Sequence, residues 1–140
     1  MVPQILFAAA LALLPGPDWY RVSEIPTSLS YVDAASIEKR GQWTRLMQWT
    51  EYREASPDTG VKRVKAIEEI DCAARRLRVI HFIALKTDGS VSSDIDMSGL
   101  DTPRDIPPAS SWSLIADFVC SGDLSLGVQV ADPVADTASR

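Results

Sequence analysis

The two cysteines, Cys72 and Cys120, are the residues whose chemistry the sequence constrains most. A reactive thiol needs a neighbouring base to lower its pKa, and the single histidine, His81, falls on what reads as the neighbouring strand. An even cysteine count in an exported chain favours a disulfide instead. That bond would close a loop of 48 residues, which corresponds to roughly 4 kcal/mol of stabilisation. We therefore predict a structural disulfide, with a reactive thiol as the alternative.

A second pattern is similar to the ligand spacing of a calcium-binding loop, in which oxygen-bearing side chains alternate before a glycine. The residues at the ligand positions are Asp94, Asp96, Ser98 and Asp105. Against calcium, Asp101 stands where such loops carry an apolar residue, and Pro103 stiffens the closing half. Acidic, glycine-containing loops are also common on solvated surfaces. We predict no metal site here, with calcium binding as the alternative.

The remaining charged residues indicate no catalytic or cofactor-binding site. Glu68 and Glu69 point to opposite faces of a strand and cannot share a substrate. His81, on a mostly apolar strand, is expected in the core or at its rim rather than as a ligand. A basic set could bind an anionic partner, although the neighbouring Glu68, Glu69 and Asp71 offset its charge. The basic set is Lys62, Arg63, Lys65, Arg75, Arg76 and Arg78.

Length and charge limit the classes of protein to consider. The chain has 140 residues, of which 46% are hydrophobic and 24% charged, as expected for one globular domain. The net charge of −5 argues against nucleic-acid binding.

The strands on either side of Cys72 are predicted to form a β-hairpin that turns at Ala73 and Ala74. One register, in which the numbers of every pair of facing residues have the same sum, explains the residue types on both faces of the hairpin. Opposite charges then face each other on the solvated side, and apolar residues face each other on the other side. The four predicted pairs are Asp71 with Arg76, Glu69 with Arg78, Ile70 with Leu77 and Val64 with Ile83.

The fold class that follows is α+β, with an antiparallel sheet of about five to six strands. A helix begun by Ser110 or Ser111 carries Cys120 and packs on one sheet face, pinned by the disulfide.

One strand carries Trp43, Trp49 and Tyr52, and the strand period of two puts both tryptophans on one face, opposite Tyr52. We expect the tryptophans to fill the core under the helix. The alternative is that they are exposed contacts for a protein partner.

The two ends of the chain suggest export and a flexible tail. An apolar run before Pro15 predicts a signal peptide at residues 1–17 with an uncertain cleavage site. No cysteine lies near that junction, so we expect a periplasmic or secreted protein without a lipid anchor. The domain would span residues 18–131. Apolar residues alternate with small or polar ones over residues 124–130, which favours an edge strand, with a partner-binding extension as the alternative. Residues 132–140 are predicted to be disordered.

Several short motifs together resemble the surface-adhesin E-like family of small exported bacterial proteins. They are Trp19, then YVDAASIEKRGQWTRLMQWTEY, then IDC, then PPASSWSLIADFVC. The resemblance implies an antiparallel sheet with a helix packed on it, and adhesion to host extracellular-matrix or serum proteins. It favours a non-enzymatic contact module of the bacterial envelope, with no transmembrane segment in the mature chain. The alternatives are a periplasmic small-ligand or calcium-binding protein, or a periplasmic enzyme.

Overall fold

The computed structural model describes residues 16–140, so the predicted signal peptide lies outside the described residues except for its last two positions. The described chain forms eight strands and two α-helices. The strands are β1 (Trp19–Glu24), β2 (Ser28–Arg40), β3 (Trp43–Tyr52), β4 (Val61–Asp71), β5 (Arg76–Lys86), β6 (Val91–Asp96), β7 (Arg104–Asp105) and β8 (Val128–Val130). The helices are α1 (Ser111–Ser121) and α2 (Pro133–Ala138), and a 3-10 turn spans Leu124–Leu126.

All the strands pair antiparallel in one sheet, in the order β6-β5-β4-β3-β2-β1-β8, and β7 pairs with one end of β5. The first six strands form a meander, because each connection is short enough for consecutive strands to pair. The predicted antiparallel sheet and packed helix are confirmed, but the strand number of five to six is wrong. The short strands β7 and β8 lack the length that makes alternation visible in a sequence.

The predicted hairpin of β4 and β5 is correct near its turn and wrong at its far end. Asp71 pairs with Arg76 and Ile70 with Leu77, as predicted, around a loop at residues 72–75. Beyond Glu68 the strand β5 carries one extra residue, Ile80, which forms a β-bulge. Val64 therefore pairs with Ala84 and not with Ile83.

Helix α1 covers one face of the sheet and forms the main core with it. Ser110 caps the helix by accepting a hydrogen bond from the Ser113 amide, and Gly122 ends it at φ +69°. Its buried residues Ile115, Ala116, Phe118 and Val119 pack against Val22, Val32, Leu46, Ile70, Leu77 and Ile106 of the sheet side.

The predicted disulfide between Cys72 and Cys120 is present, with the two Cα atoms 5.7 Å apart. It joins the last turn of α1 to the loop between β4 and β5. The helix is therefore held to the sheet at the end where the chain leaves it.

The C-terminal tail is folded, which corrects the prediction of disorder at residues 132–140. Asp132 caps α2 and Pro133 occupies its first turn, a pairing that is favourable at a helix start. The hydroxyl of Tyr31 donates to Asp136 at 2.8 Å, and Arg21 donates to the same carboxylate at 2.8 Å. These bonds hold α2 on the sheet face opposite α1.

The predicted edge strand at residues 124–130 is correct only for Val128–Val130, which pairs with β1. Leu124–Leu126 instead forms the 3-10 turn. Among residues 16–140, none of the helices is long and apolar enough to cross a membrane.

A carboxyl group, Glu68, is buried on the α1 side of the sheet, where it lies against the side-chain amide of Gln48. Burial raises the pKa of Glu68 well above its usual range, and the positive charge of Arg104 opposes this only in part. The Gln48 amide satisfies both of its neighbours when its nitrogen donates to Glu68 Oε1 at 2.7 Å and Oε2 at 2.9 Å and its oxygen accepts from Thr50 Oγ1 at 3.0 Å.

We expect oxidation of Cys72 and Cys120 to stabilise the protein by up to about 4 kcal/mol, because the bond restricts a long loop in the unfolded chain. Urea unfolding of oxidised and reduced protein measures this difference. Reductant should leave a Cys72→Ser, Cys120→Ser double variant unchanged. Two free thiols in protein recovered from an oxidising compartment would contradict the bond.

Replacing Tyr31 by phenylalanine should detach α2 partially, since its hydroxyl bonds both Asp136 and Thr137. We expect a loss of about 1–2 kcal/mol in stability and faster amide exchange over residues 133–138. Tyr52→Phe is the matched control, because within residues 16–140 the Tyr52 hydroxyl makes no hydrogen bond. Unchanged exchange in the Tyr31 variant would show that other contacts hold α2.

Glu68→Gln should raise the melting temperature at pH 7.5 by roughly 4 °C or more. Because the folded state raises the pKa of Glu68, its stability contribution is full in acid and is lost as pH rises above the unfolded value of about 4.3. The advantage of the variant should therefore shrink toward pH 4. Thermal unfolding across this range measures it, with exposed Glu54→Gln as control. An advantage independent of pH would contradict the ionisation argument.

Candidate functional site

On the sheet face opposite α1, α2 lies over the β1 and β2 part. We call the rest of that face, over β3 to β5, the open face, and it carries the candidate site. Alternation along β3 directs Leu46 beneath α1 and sends Trp43 and Trp49 to the other side. The expectation that these tryptophans lie in the core under α1 is therefore wrong, although Trp49 packs edge-on against the buried Trp19 of a second core cluster, with ring centroids 5.4 Å apart. Tyr52 lies on the α1 side and is 37% exposed, so its placement opposite the tryptophans agrees with the strand period.

The first unit of the open face is a tryptophan, a buried carboxylate and two arginines. The guanidinium carbon of Arg78 lies 4.0 Å from the ring centroid of Trp43, in a cation–π contact. Glu69 accepts from Arg78 Nη2 at 2.7 Å and from Arg45 Nε at 3.1 Å. Burial opposes ionisation of Glu69, but the two arginines outweigh it and hold its pKa below the usual range. Glu69 is thus buried, although the sequence placed it on a solvated side.

The second unit repeats this arrangement at the other end of β3. Lys65 Nζ lies 4.5 Å from the ring centroid of Trp49. The carboxylate of Glu51 is fully buried and accepts from Trp49 Nε1 at 3.0 Å, Arg63 Nε at 2.9 Å and Lys62 Nζ at 3.1 Å. Burial raises the pKa of Glu51, but these donors lower it by more. A β-bulge at Lys62 turns its ammonium toward Glu51.

An apolar hollow of about 150 Å³ lies between the two units. Met47, Ile67 and Ile83 line it, one from each of three neighbouring strands. His81 stands at its rim, where its Nε2 pairs with the carboxylate of Asp94. Trp43 and Trp49 are six positions apart on β3, so the two units are roughly 20 Å apart along the strand.

A wider, polar groove of about 380 Å³ adjoins the first unit. Its cationic walls are Arg40, Arg45 and Arg78, and the Ile80 bulge and Gly99 of the following loop close its other side. Arg40 is exposed and makes no ion pair to any residue in the range 16–140. The groove therefore has cationic walls beside two carboxylates, the buried Glu69 and Asp101, which pairs with Arg104.

The open face carries charges of both signs. Six cationic side chains stand in and beside the two units, and the strand register places Glu38, Asp71, Asp94 and Asp96 on the same face as the two buried carboxylates. Of the basic set selected from the sequence, Arg75 lies elsewhere, paired with Asp117. Arg76 shares the strand face of Arg78 but pairs with Asp105. The sequence reasoning missed Arg40 and Arg45, because the cluster is assembled from four strands. The signal for Arg45 was its period-two spacing from Trp43.

The residues of the calcium-like pattern are spread over separate elements. Asp94 faces His81 from β6, Asp96 accepts from the Ser98 amide at 2.9 Å, and Asp105 lies in β7 beside Arg76. Across residues 16–140, no group of three or more acidic, histidine or cysteine side chains is placed to hold a metal ion.

Comparison with known proteins identifies the family. The family model for surface-adhesin protein E matches residues 19–121, which include β1 to β7 and α1. Two solved structures of Haemophilus influenzae protein E have similar folds, with TM-scores of 0.54 and 0.52 at 15% identity in each case. Each comparison covers 79% of this chain, and 95% and 92% of the respective protein E chains. None of the curated proteins matches the chain. By the extent of the family match, the chain belongs to the surface-adhesin protein E family.

Proposed function

We propose that this protein is an exported, non-enzymatic contact module of the bacterial envelope that binds a protein partner through its open face. The observation that carries the proposal is the pair of tryptophan–cation units around the apolar hollow, on the part of the sheet that α1 and α2 leave uncovered. Membership of a surface-adhesin family and the disulfide fit an exported protein.

The composition of the open face favours a protein partner over a small molecule. Tryptophan and arginine are the residues most enriched at binding hot spots, where they bury large contact areas. The hollow and the groove are shallow features of one sheet face, and each unit is already ordered by a buried carboxylate. A surface with ordered side chains loses little conformational entropy on binding.

Adhesion to host matrix proteins is the form of contact that the family suggests. The likeness to Haemophilus influenzae protein E at 15% identity shows the fold alone, so its partners are not carried over. The proposal also includes export, which would place the protein in the periplasm, at the cell surface or in the medium.

A small-ligand binder is the second candidate, and one feature of the α1 side favours it. A hollow of about 220 Å³ lies beside α1, lined by Trp112 and Phe82 with the buried carboxyl of Glu68 and the amide of Gln48. A perturbed buried carboxyl in an aromatic hollow is a recurrent feature of ligand sites.

Capture experiments distinguish the two candidates. Immobilised protein of residues 18–140 should bind purified vitronectin or laminin saturably, and Trp43→Ala should weaken binding about tenfold or more. Tyr52→Ala, an exposed aromatic residue on the opposite face, should leave binding unchanged. Thermal unfolding must show both variants folded.

Binding that depends on Tyr52 but not on Trp43 would contradict the open-face site. Failure of both matrix proteins to bind, together with a small molecule retained in native mass spectra and lost in Glu68→Gln, would establish the second candidate.

A further inference from the structure

Three glutamates are buried in β3 and β4, and one of them, Glu68, lacks a cation. Glu51 and Glu69 each accept from two cationic side chains. Glu68 is 2% exposed and forms no ion pair to any residue from 16 to 140, and its polar neighbour is the neutral amide of Gln48. A buried carboxylate without a counter-ion is costly to ionise, which is why burial raises its pKa. The fold thus supplies positive charge to two of its buried carboxylates and withholds it from the third.

Glu68 lies at one end of the hollow of about 220 Å³ beside α1. Along β4 the hollow extends from Glu68 to Val64, which are four positions or roughly 13 Å apart. Phe82 of β5 and Trp112 of α1 provide aromatic walls, and Tyr52 lies at the end away from Glu68. The volume equals that of roughly seven water molecules. The hollow therefore has room for one small elongated molecule with one end at the carboxylate.

The cations on this side of the sheet leave Glu68 unpaired. The strand register places Lys39, Lys86 and Arg104 on the α1 side. Within the described part of the chain, Arg104 alone of these three acts on the charge of Glu68. Its side chain is 51% exposed and is paired with Asp101 at 2.9 Å, so its charge is partly neutralised and partly screened. The end of the hollow at Glu68 therefore favours a positively charged group.

We infer that the hollow beside α1 binds a small organic cation, with a primary ammonium group against Glu68 and an apolar body along the hollow toward Tyr52. The ammonium donates hydrogen bonds to the carboxylate and supplies the charge that the fold omits. The aromatic walls favour the same occupant, because the faces of aromatic rings attract cations. This inference rests on the second candidate function, because it names the class of ligand that the same hollow would take.

Three compounds of one shape test the inference. The probe is 4-phenylbutylamine, compared with 4-phenylbutan-1-ol and 5-phenylpentanoate, which carry a hydroxyl and a carboxylate on the same phenylbutyl chain. Isothermal titration calorimetry of the oxidised protein at pH 7.5 should give a Kd of about 1 mM or lower for the amine. The other two should bind at least about tenfold more weakly, since neither brings a positive charge to Glu68. The amine should also raise the melting temperature, because it binds the folded state.

Variants locate the binding site. Glu68→Gln should weaken binding of the amine about tenfold or more and leave the weak binding of the alcohol unchanged. Phe82→Leu keeps an apolar wall but removes an aromatic one, and should weaken binding of the amine roughly threefold. Glu38→Gln is the matched control, since Glu38 is exposed, carries the same charge and lies on the opposite sheet face. Thermal unfolding must show that all three variants are folded.

Absence of amine binding, equal binding of the amine and the alcohol, or unchanged amine binding in Glu68→Gln would each overturn the inference. If the amine does not bind but a matrix protein is captured through Trp43, the inference fails and the open-face function stands. If the amine binds as expected and neither matrix protein is captured, the second candidate stands with this class of ligand and the choice of host matrix partner fails.

Discussion

The alternation of side chains along β3 is the constraint on which the rest of the structure depends. Leu46 and Gln48 point toward α1, and Trp43, Arg45, Met47 and Trp49 point away from it. A shift of one residue in the pairing of this strand would exchange the two sets. Because β3 lies at the centre of the sheet, the core and the open face are determined together.

Two buried carboxylates hold the side chains of the open face in fixed positions. Glu51 and Glu69 would be costly to bury alone, and each is stable only because several cations surround it. Glu69 fixes Arg78 while its guanidinium covers the Trp43 ring, and Glu51 holds the indole nitrogen of Trp49 directly. Side chains that are usually mobile are thus held in one arrangement. The contribution of these ion pairs is mainly to the shape of the surface rather than to net stability.

Local patterns in the sequence were sufficient for some features and insufficient for others. Opposite charges on either side of Cys72 predicted the hairpin register near the turn, but the Ile80 bulge has no sequence signature and displaced the pairing of Val64. Period two placed Trp43 and Trp49 on one face correctly. Which face the helix covers depends on long-range packing of α1, and here the expectation was wrong.

Elements held by distant contacts were the hardest to predict. Helix α2 is too short to be stable alone, and its position depends on Arg21 and Tyr31 more than 100 residues earlier in the chain. The groove beside Trp43 combines arginines from β2, β3 and β5, so no window of the sequence contains it. The Asp132–Pro133 pair was a usable start signal for α2.

The anchoring of the C-terminus on the first two strands also determines when the fold can be completed. β1 pairs with β8, and Arg21 and Tyr31 bind Asp136, so the last residues of the chain close contacts with the first ones. Contacts this distant in sequence form slowly, because the entropy of loop closure must be overcome before they add stability. A chain that emerges from its N-terminus cannot complete this sheet until residue 130 is available, and it cannot dock α2 until residue 136 follows. Until then, the edge of β1 that β8 will cover is open to pairing with other chains.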